Sequence, residues 1–389
     1  MISLKRTLQY WYVLLIHGCA VLCSGRIKCG QGVLLLRLDA LGDFILWLDS
    51  AKEYRKIYPE RKITLMVNAS WVELAKSLPY WDDVWPVDTW KFRRHPLYRI
   101  GMLIQLRRRG FGTLIQPRFS RELLLEDSII LSSQARERIG IEGDLSNIKS
   151  THARQSLRWY TKIIPSKSGI VMELTRNAEF IRALGLSGFQ SGIPRIDVQW
   201  TVPDNLLSQG KYFVVCPGTG TAGVIKQWPV DQFVQIIRRV YEKTGWKAVI
   251  CGDESQGHFV QKLEKALGDL WINCIGKTSV EEYLAIIAKA KLLVGNDSSC
   301  IHIAAAFNVP SIGVTGGGHF GRFMPYQVES LRPGAVLPIA VYKRMDCFNC
   351  NWKCIYHVAQ GFPAPCMVDI DIERVWTAVE AVIDERKLL

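Results

Sequence analysis

The stretch Leu292-Leu293-Val294-Gly295-Asn296-Asp297-Ser298-Ser299 runs from an apolar strand into a turn of small and acidic residues, and a helix of small residues follows at 300–306. Helix N–H groups that begin directly after a buried strand point toward any ligand above the strand end, where they bind anions. The Asp297 carboxylate repels a bare phosphate but accepts hydrogen bonds from sugar hydroxyls. The turn therefore predicts a ligand that carries a diphosphate and a sugar. The simpler alternative is a strand–helix turn that Asp297 or Ser298 caps.

The same alternation of apolar strand and helix extends through most of the chain. Strands are predicted near residues 32–38, 63–68, 84–87, 113–116, 212–216, 248–251, 272–275, 291–295 and 311–314, with helices between them. This alternation is typical of doubly wound parallel sheets, and a length of 389 residues favours two domains. We expect an α/β protein with two Rossmann-like, doubly wound parallel-sheet domains that face a cleft.

The predicted domain boundaries follow changes in composition. They are an apolar and basic segment at 1–31, a first Rossmann-like domain at 32–190, a linker at 191–210, a second Rossmann-like domain at 211–340, and a cysteine-containing segment with a closing helix at 341–389.

The net charge of +13 is concentrated in two segments that contain no acidic residue, 1–31 and 91–121. No aromatic-stacking module or zinc-finger spacing accompanies them, which argues against a nucleic-acid partner. A membrane surface or an anionic acceptor fits better, because residues 97–109 predict a helix with an apolar side and a basic end. The alternative is a core-packed helix whose arginines are merely solvated.

Residues 10–23 are mostly apolar and aromatic, with basic residues on both sides. The stretch is too short to span a bilayer, which takes about 20 apolar residues. An interfacial helix with cationic flanks is the preferred interpretation, and a signal peptide is the competing one.

Four of the eleven cysteines are closely spaced near the end of the chain, at Cys347, Cys350, Cys354 and Cys366. Thiolates at this density suit a tetrahedral zinc or iron site. One or two disulfides, or unligated thiols, are the alternatives, and disulfides are disfavoured in the cytosol.

Three further turns follow predicted strands, as the Asp297 turn does. Gly42-Asp43 follows the first strand, and Asp43 is either a helix cap or a general base. Residues 217–229 combine glycines and hydroxyls with Lys226, which suits a phosphate, although they lack the order of a P-loop. Glu254 follows another strand, where a carboxylate can bind ribose hydroxyls.

Three motifs together resemble glycosyltransferase family 9, the lipopolysaccharide heptosyltransferases of Gram-negative bacteria and their relatives. They are Arg37-Leu38-Asp39-Ala40-Leu41-Gly42-Asp43, Lys226-x-Trp228-Pro229, and Gly295-Asn296-Asp297-Ser298-Ser299-x-x-His302-x-Ala304-Ala305-Ala306. The resemblance covers roughly residues 32–330. It implies a GT-B fold and an inverting transfer that needs no metal or other cofactor, with ADP-heptose or a similar nucleotide sugar as donor.

The resemblance also implies roles for individual residues. Asp43 would be the catalytic base, and Asp297 would hold the sugar. The donor's diphosphate would be bound by Lys226, by Thr219 or Thr221, and by the Ser298 and Ser299 amides. Glu254 would bind the ribose. The acceptor would be a lipopolysaccharide or another anionic glycolipid, which we expect Arg118 and Arg121 to contact. The protein would then work in the cytoplasm, peripherally on the inner face of the bacterial inner membrane.

Three features depart from the family pattern. Ser299 stands where heptosyltransferases usually have glycine, which suggests an altered donor. The first 30 residues precede the point where family members normally begin. The clustered cysteines are similar to the iron-binding cysteines of autotransporter heptosyltransferases, so a protein acceptor is an alternative. A GT-B nucleotide-sugar epimerase is another alternative, although no set of His and acidic residues for that reaction is evident. A lectin-like module without enzymatic activity is a third, but it would not need Lys226.

Overall fold

The computed structural model describes residues 2–25, 29–203, 210–220 and 223–385, with side chains described from residue 8 onward. The chain forms two compact units. The N-terminal unit comprises Met1–Ala40, Ser50–Gly169 and Arg176–Phe189, and the C-terminal unit comprises Leu41–Asp49, Ile170–Thr175 and Gln190–Leu389. The segment 41–49, which the sequence placed inside the first domain, thus groups with the C-terminal unit.

The N-terminal unit contains a parallel sheet of six strands. The strands are β1 (Val33–Arg37), β2 (Ile63–Asn68), β3 (Asp83–Val87), β4 (Thr113–Gln116), β5 (Glu137–Ile141) and β6 (Lys162–Ile164). Their order is β3-β2-β1-β4-β5-β6, the order of a dinucleotide-binding Rossmann sheet. All five residues of β1 are buried because the strand lies at the centre, paired with β2 and β4.

Helices precede, connect and follow these strands in the first half of the chain. They are α1 (Ile2–Ser24), α2 (Leu41–Ala51), α3 (Tyr54–Ile57), α4 (Val72–Lys76), α5 (Thr89–Arg94), α6 (Pro96–Arg109), α7 (Ser128–Ser133), α8 (Ser150–Leu157) and α9 (Glu173–Ala183).

Helix α1 packs on the N-terminal unit along one face only. Val13, Ile16 and Ala20 are buried in its core. A second row at helical spacing is exposed and apolar: Leu8, Trp11, Leu15 and Leu22. Within the described residues, no helix is long and apolar enough to cross a membrane.

The C-terminal unit repeats the six-stranded parallel arrangement. Its strands are β7 (Tyr212–Cys216), β8 (Lys247–Gly252), β9 (Trp271–Ile275), β10 (Leu293–Asn296), β11 (Ser311–Val314) and β12 (Ile339–Val341), in the order β12-β11-β10-β7-β8-β9. Its helices are α10 (Val230–Thr244), α11 (Val260–Leu267), α12 (Val280–Lys289), α13 (Ser299–Ala306), α14 (Pro365–Val368) and α15 (Ile372–Glu385).

The prediction of two Rossmann-like parallel sheets is confirmed. Strands β5, β6 and β12 were not predicted. Between β4 and β5 the chain forms a π-helical turn over Leu123–Asp127 followed by α7. The helical region between β1 and β2 is divided into α2 and α3.

A pair of glycine substitutions tests the packing of the N-terminal unit. A Cβ at Gly140 in β5 would overlap the ring of Tyr160, whose hydroxyl is held by Asp127 at 2.6 Å. We expect Gly140→Ala to lower the free energy of unfolding by about 1–3 kcal/mol, the usual range for overpacking. Gly101 lies in α6 with nothing within 4 Å of the added Cβ, so Gly101→Ala should raise it by about 0.5–1 kcal/mol. Denaturant titration measures both, and equal effects of the two variants would contradict the packing.

Candidate functional site

The Asp297 turn connects β10 to α13 in the C-terminal unit. Ser298 is the N-cap residue of α13 and has an extended backbone, but its side chain makes no capping hydrogen bond. Its hydroxyl lies 3.2 Å from the Cys300 thiol instead, and the Asp297 N–H donates to the Val314 carbonyl at 3.0 Å. The Ser298 cap considered from the sequence is therefore not formed, and the first N–H groups of α13 remain oriented beyond the strand end.

Asn296, the last residue of β10, holds two neighbouring turns to this strand end. Its buried side-chain oxygen accepts from the Trp228 N–H at 2.9 Å, and its side-chain nitrogen donates to the Pro217 carbonyl at 2.6 Å. One amide thus fixes both ends of the loop 217–228. Sequence reasoning missed this role, although a polar residue at the end of an apolar strand was its signal.

The loop that carries Lys226 is shaped by glycines with positive φ and by a hydroxyl. Gly220 and Gly223 have φ of 53° and 82°, and the Thr219 hydroxyl donates to the Gly223 carbonyl at 2.8 Å. Lys226 ends a short 3₁₀ turn, Val224–Lys226. Thr219 therefore stabilises the loop, whereas Thr221, the alternative diphosphate ligand, lies outside the described residues.

Glu254 begins the 3₁₀ helix Glu254–Phe259 directly after β8 and is exposed. The neighbouring Gln256 side chain is buried, and a Cβ at either Gly218 or Gly252 would overlap it. Gln256 thus packs between the Lys226 loop and the Glu254 turn. It was not among the predicted site residues.

The Asp43 turn lies beside the first turn of α13, because segment 41–49 belongs to the C-terminal unit. A Cβ at Gly42 would lie 3.1 Å from His302 Cδ2 and 3.3 Å from Ser299 Cα. Glycine permits this close approach of α2 to α13. The structure therefore brings Asp43 and the Asp297 turn together.

The charges of this site influence one another. Burial lowers the pKa of Lys226, and the carboxylates of Asp297 and Asp43 oppose that shift. Burial raises the pKa of Asp297 from 3.8 to about 6, and Lys226 opposes the shift. Lys226 is thus the cation near two carboxylates at one strand-end site.

Two histidines adjoin these groups, and burial lowers the pKa of both. The pKa of His302 falls to about 4, which leaves its imidazole neutral at physiological pH, and its Nδ1 lies 2.8 Å from the Tyr326 hydroxyl. His319 is electrostatically coupled to Lys226 and Asp43 and is hydrogen-bonded to Asn351 at 2.6 Å. His319 was missed from the sequence because it follows a glycine run rather than a predicted strand.

The two arginines predicted to bind the acceptor are committed to ion pairs within the N-terminal unit. Arg118 contacts Glu126 at 2.8 Å and Glu122 at 3.0 Å. Arg121 has a side chain only 1% exposed and contacts Asp127 at 3.0 Å. The buried Arg121 presents no surface to an acceptor, so its predicted role does not fit the structure.

The local basicity of 91–121 is largely neutralised by carboxylates outside that segment. Besides Arg118 and Arg121, ion pairs form between Lys91 and Asp88, Arg93 and Glu122, and Arg109 and Asp83. The fold therefore brings carboxylates from other parts of the chain to the arginines and lysine of segment 91–121, which contains no acidic residue.

The structure does not show a metal site at the clustered cysteines. All eleven cysteines are free thiols. Across residues 8–25, 29–203, 210–220 and 223–385, no three His, Cys, Asp or Glu side chains are arranged to hold a metal ion. The predicted zinc or iron at Cys347, Cys350, Cys354 and Cys366 is therefore not supported. The Cys366 thiol instead accepts a hydrogen bond from the Gly317 N–H at 3.4 Å.

Residues 189–336 match the model of glycosyltransferase family 9 (heptosyltransferase). Lipooligosaccharide heptosyltransferase 2 of Haemophilus influenzae is 32% identical over 115 residues, 28% of this chain and 33% of that protein. Lipopolysaccharide heptosyltransferase 1 of Pseudomonas aeruginosa is 22% identical over 367 residues, 90% of this chain and 98% of that protein. The alignments with the first curated relatives thus span about a third of those proteins' lengths.

The fold is also that of solved members of the family. The structure of E. coli ADP-heptose lipopolysaccharide heptosyltransferase II superposes with a TM-score of 0.64 at 17% identity, covering 92% of this chain and 100% of that one. Together, these comparisons show that residues 189–336 are similar to glycosyltransferase family 9 and that the chain has the GT-B fold.

Proposed function

We propose that this protein is an inverting glycosyltransferase that moves heptose or a similar sugar from a nucleotide sugar, ADP-heptose in the first instance, to a lipopolysaccharide or another cell-envelope glycan. The observation that carries the proposal is the placement of Lys226 near both Asp297 and Asp43, beside the open N-terminus of α13. A cation and helix N–H groups suit a diphosphate, and the carboxylates suit sugar hydroxyls.

In the proposed reaction, an acceptor hydroxyl oxygen attacks the anomeric carbon of the donor sugar, and the bond from that carbon to the diphosphate oxygen breaks. Asp43 takes the proton of the attacking hydroxyl. Lys226 and the N–H groups of Ser299 and its neighbours stabilise the charge that develops on the leaving diphosphate. These groups perform the role that a divalent cation has in metal-dependent transfers, so the proposed reaction uses no cofactor.

Asp297 fits the donor sugar better than the diphosphate. It lies at the start of α13, and burial disfavours its ionised form. Hydrogen bonds from sugar hydroxyls stabilise a carboxylate. Donor binding would therefore offset the desolvation of this side chain. Glu254, shortly after β8, is proposed as the ribose ligand.

The proposed place of action is the cytoplasmic face of the inner membrane, where a lipid-anchored acceptor lies. The exposed apolar row on α1, Leu8, Trp11, Leu15 and Leu22, supports a peripheral contact. The ion pairs in segment 91–121 leave less free positive charge for this contact than the sequence indicates.

Substitutions at Asp43 and Lys226 separate catalysis from binding. Asp43→Asn should reduce sugar transfer about 10²–10⁴-fold, the usual effect of losing a general base, with ADP affinity nearly unchanged. Lys226→Met should weaken both ADP binding and transfer. The exposed pair Asp231 and Lys262, 2.7 Å apart in the same unit, offers matched controls: Asp231→Asn and Lys262→Met should alter neither. Isothermal titration and a transfer assay measure these effects, and equal loss of ADP affinity in Asp43→Asn would make Asp43 a structural cap.

Asp297 should make stability depend on pH. Its pKa is raised from 3.8 to about 6 on folding, so ionisation destabilises the folded state as pH rises through that window. At pH 7.5 the free energy of unfolding of Asp297→Asn should therefore exceed that of the wild type by about 3 kcal/mol, whereas at pH 4 the two proteins should be about equally stable. It should also bind the donor more weakly. A stability difference that does not change with pH would contradict this origin.

The exposed row on α1 predicts membrane binding. Trp11→Ser combined with Leu15→Ser should reduce co-sedimentation with vesicles of anionic phospholipid, since both side chains are exposed and apolar. Ile355→Ser, at an exposed apolar residue of the C-terminal unit, is the matched control and should have no effect. Undiminished binding of the double variant would exclude α1 as the contact.

A further inference from the structure

The cysteine segment, residues 347–366, contacts Lys226 through an aromatic ring. The Lys226 ammonium nitrogen lies 5.0 Å from the ring centroid of Trp352. A lysine on a flexible side chain loses conformational freedom when it binds a ligand. An aromatic ring that attracts the ammonium holds it near its bound position in advance. The family motifs do not include this ring, which lies beyond the matched residues 189–336.

The backbone at Trp352 has an unfavourable conformation. Asn351 and Trp352 have φ of 51° and 58°, in the left-handed region that non-glycine residues seldom adopt. Such strain persists where surrounding contacts enforce it, and it is frequent at binding sites. Trp352 is therefore held in place by its surroundings rather than by its own local preference.

Those surroundings are a run of three glycines after β11. A Cβ at Gly316 or Gly318 would overlap the indole of Trp352, and one at Gly317 would overlap Phe348. The N–H groups of Asn349 and Asn351 donate to the carbonyls of Gly317 and Gly318 at 2.7 and 3.0 Å. The glycine run thus provides the space and the backbone hydrogen bonds that hold the cysteine segment in place.

The same segment also holds His319. The Asn351 side chain is hydrogen-bonded to His319 Nε2 at 2.6 Å, and the Trp352 ring stands perpendicular to the imidazole with 6.4 Å between ring centroids. Trp352 therefore contacts both Lys226 and His319, the two site residues that the cysteine segment reaches.

We propose that Trp352 is a positioning residue of the donor site, whose indole orients the Lys226 ammonium for the donor's diphosphate. The inference rests on the proposed function, since it takes Lys226 as the diphosphate ligand. It gives the cysteine segment a role in binding that requires no metal. The role requires an aromatic face, so phenylalanine at this position should preserve it and leucine should not.

The test is a double-mutant cycle read by binding of inorganic diphosphate, a probe without nucleoside or sugar. Trp352→Leu should weaken diphosphate binding about fivefold in the wild-type background, the change expected for a lost cation–π contact, and Trp352→Phe should retain most of the affinity. In the Lys226→Met background, Trp352→Leu should have no further effect. Trp376→Leu, which removes a ring that Arg239 covers at 5.7 Å in the same unit, is the matched control and should leave binding unchanged.

The outcomes distinguish this inference from the proposed function. Equal weakening by Trp352→Leu in both backgrounds would overturn the inference and indicate a structural role, as would unchanged binding in the wild-type background. Absence of diphosphate binding by the wild-type protein would overturn it too. Failure of the proposed function is read separately, as lack of transfer from ADP-heptose by a wild-type protein that binds diphosphate with the predicted coupling.

Discussion

The candidate site depends on the side-chain amide of Asn296. A buried amide needs partners for both its oxygen and its nitrogen, and here both partners are backbone groups of the loop that carries Lys226. The position of that loop is thereby tied to the last residue of a central strand. Asp297 follows Asn296 in the chain, so Asn296 fixes the positions of both the Asp297 carboxylate and the loop that carries the Lys226 ammonium. A hydrophobic residue at 296 would leave a buried N–H and a buried carbonyl without these partners, which is costly.

Electrostatics at this point combine opposing demands. Burial disfavours the charged forms of both Lys226 and Asp297, and each side chain partly compensates the other. A pair of this kind is poor evidence for stability, since the attraction only offsets desolvation. It is well suited to a ligand that brings negative charge and hydroxyl groups, because such a ligand can satisfy both side chains.

Much of the fold could be predicted because the central strands are continuous apolar runs, as β1 and β7 show. Strands β5 and β6 were not predicted because they carry charged residues, Glu137, Arg138 and Lys162. Strand β5 pairs with β4, and β6 pairs with β5, and these contacts are not local in sequence.

The candidate site was predictable to a similar extent. Residues at strand ends, such as Lys226 and Asp297, could be recognised because parallel strands present their carboxyl ends at one edge. Gln256 and Trp352 could not, since their positions depend on glycines of other turns, Gly218 for Gln256 and Gly316 and Gly318 for Trp352. The acceptor-binding role predicted for Arg121 does not fit the structure because its carboxylate partner, Asp127, lies outside the basic segment 91–121.

The path of the chain through segment 41–49 has a consequence for how such proteins can be recombined. Asp43 is encoded among residues of the N-terminal unit, yet it belongs structurally to the C-terminal one. A hybrid joined near residue 190 would combine the Asp43 turn of one parent with the α13 surface of the other. Gly42, Ser299 and His302 are in close contact there, so the parents would have to match at these three positions. Compatibility of hybrids is thus decided at a junction far from the point where the sequences are joined.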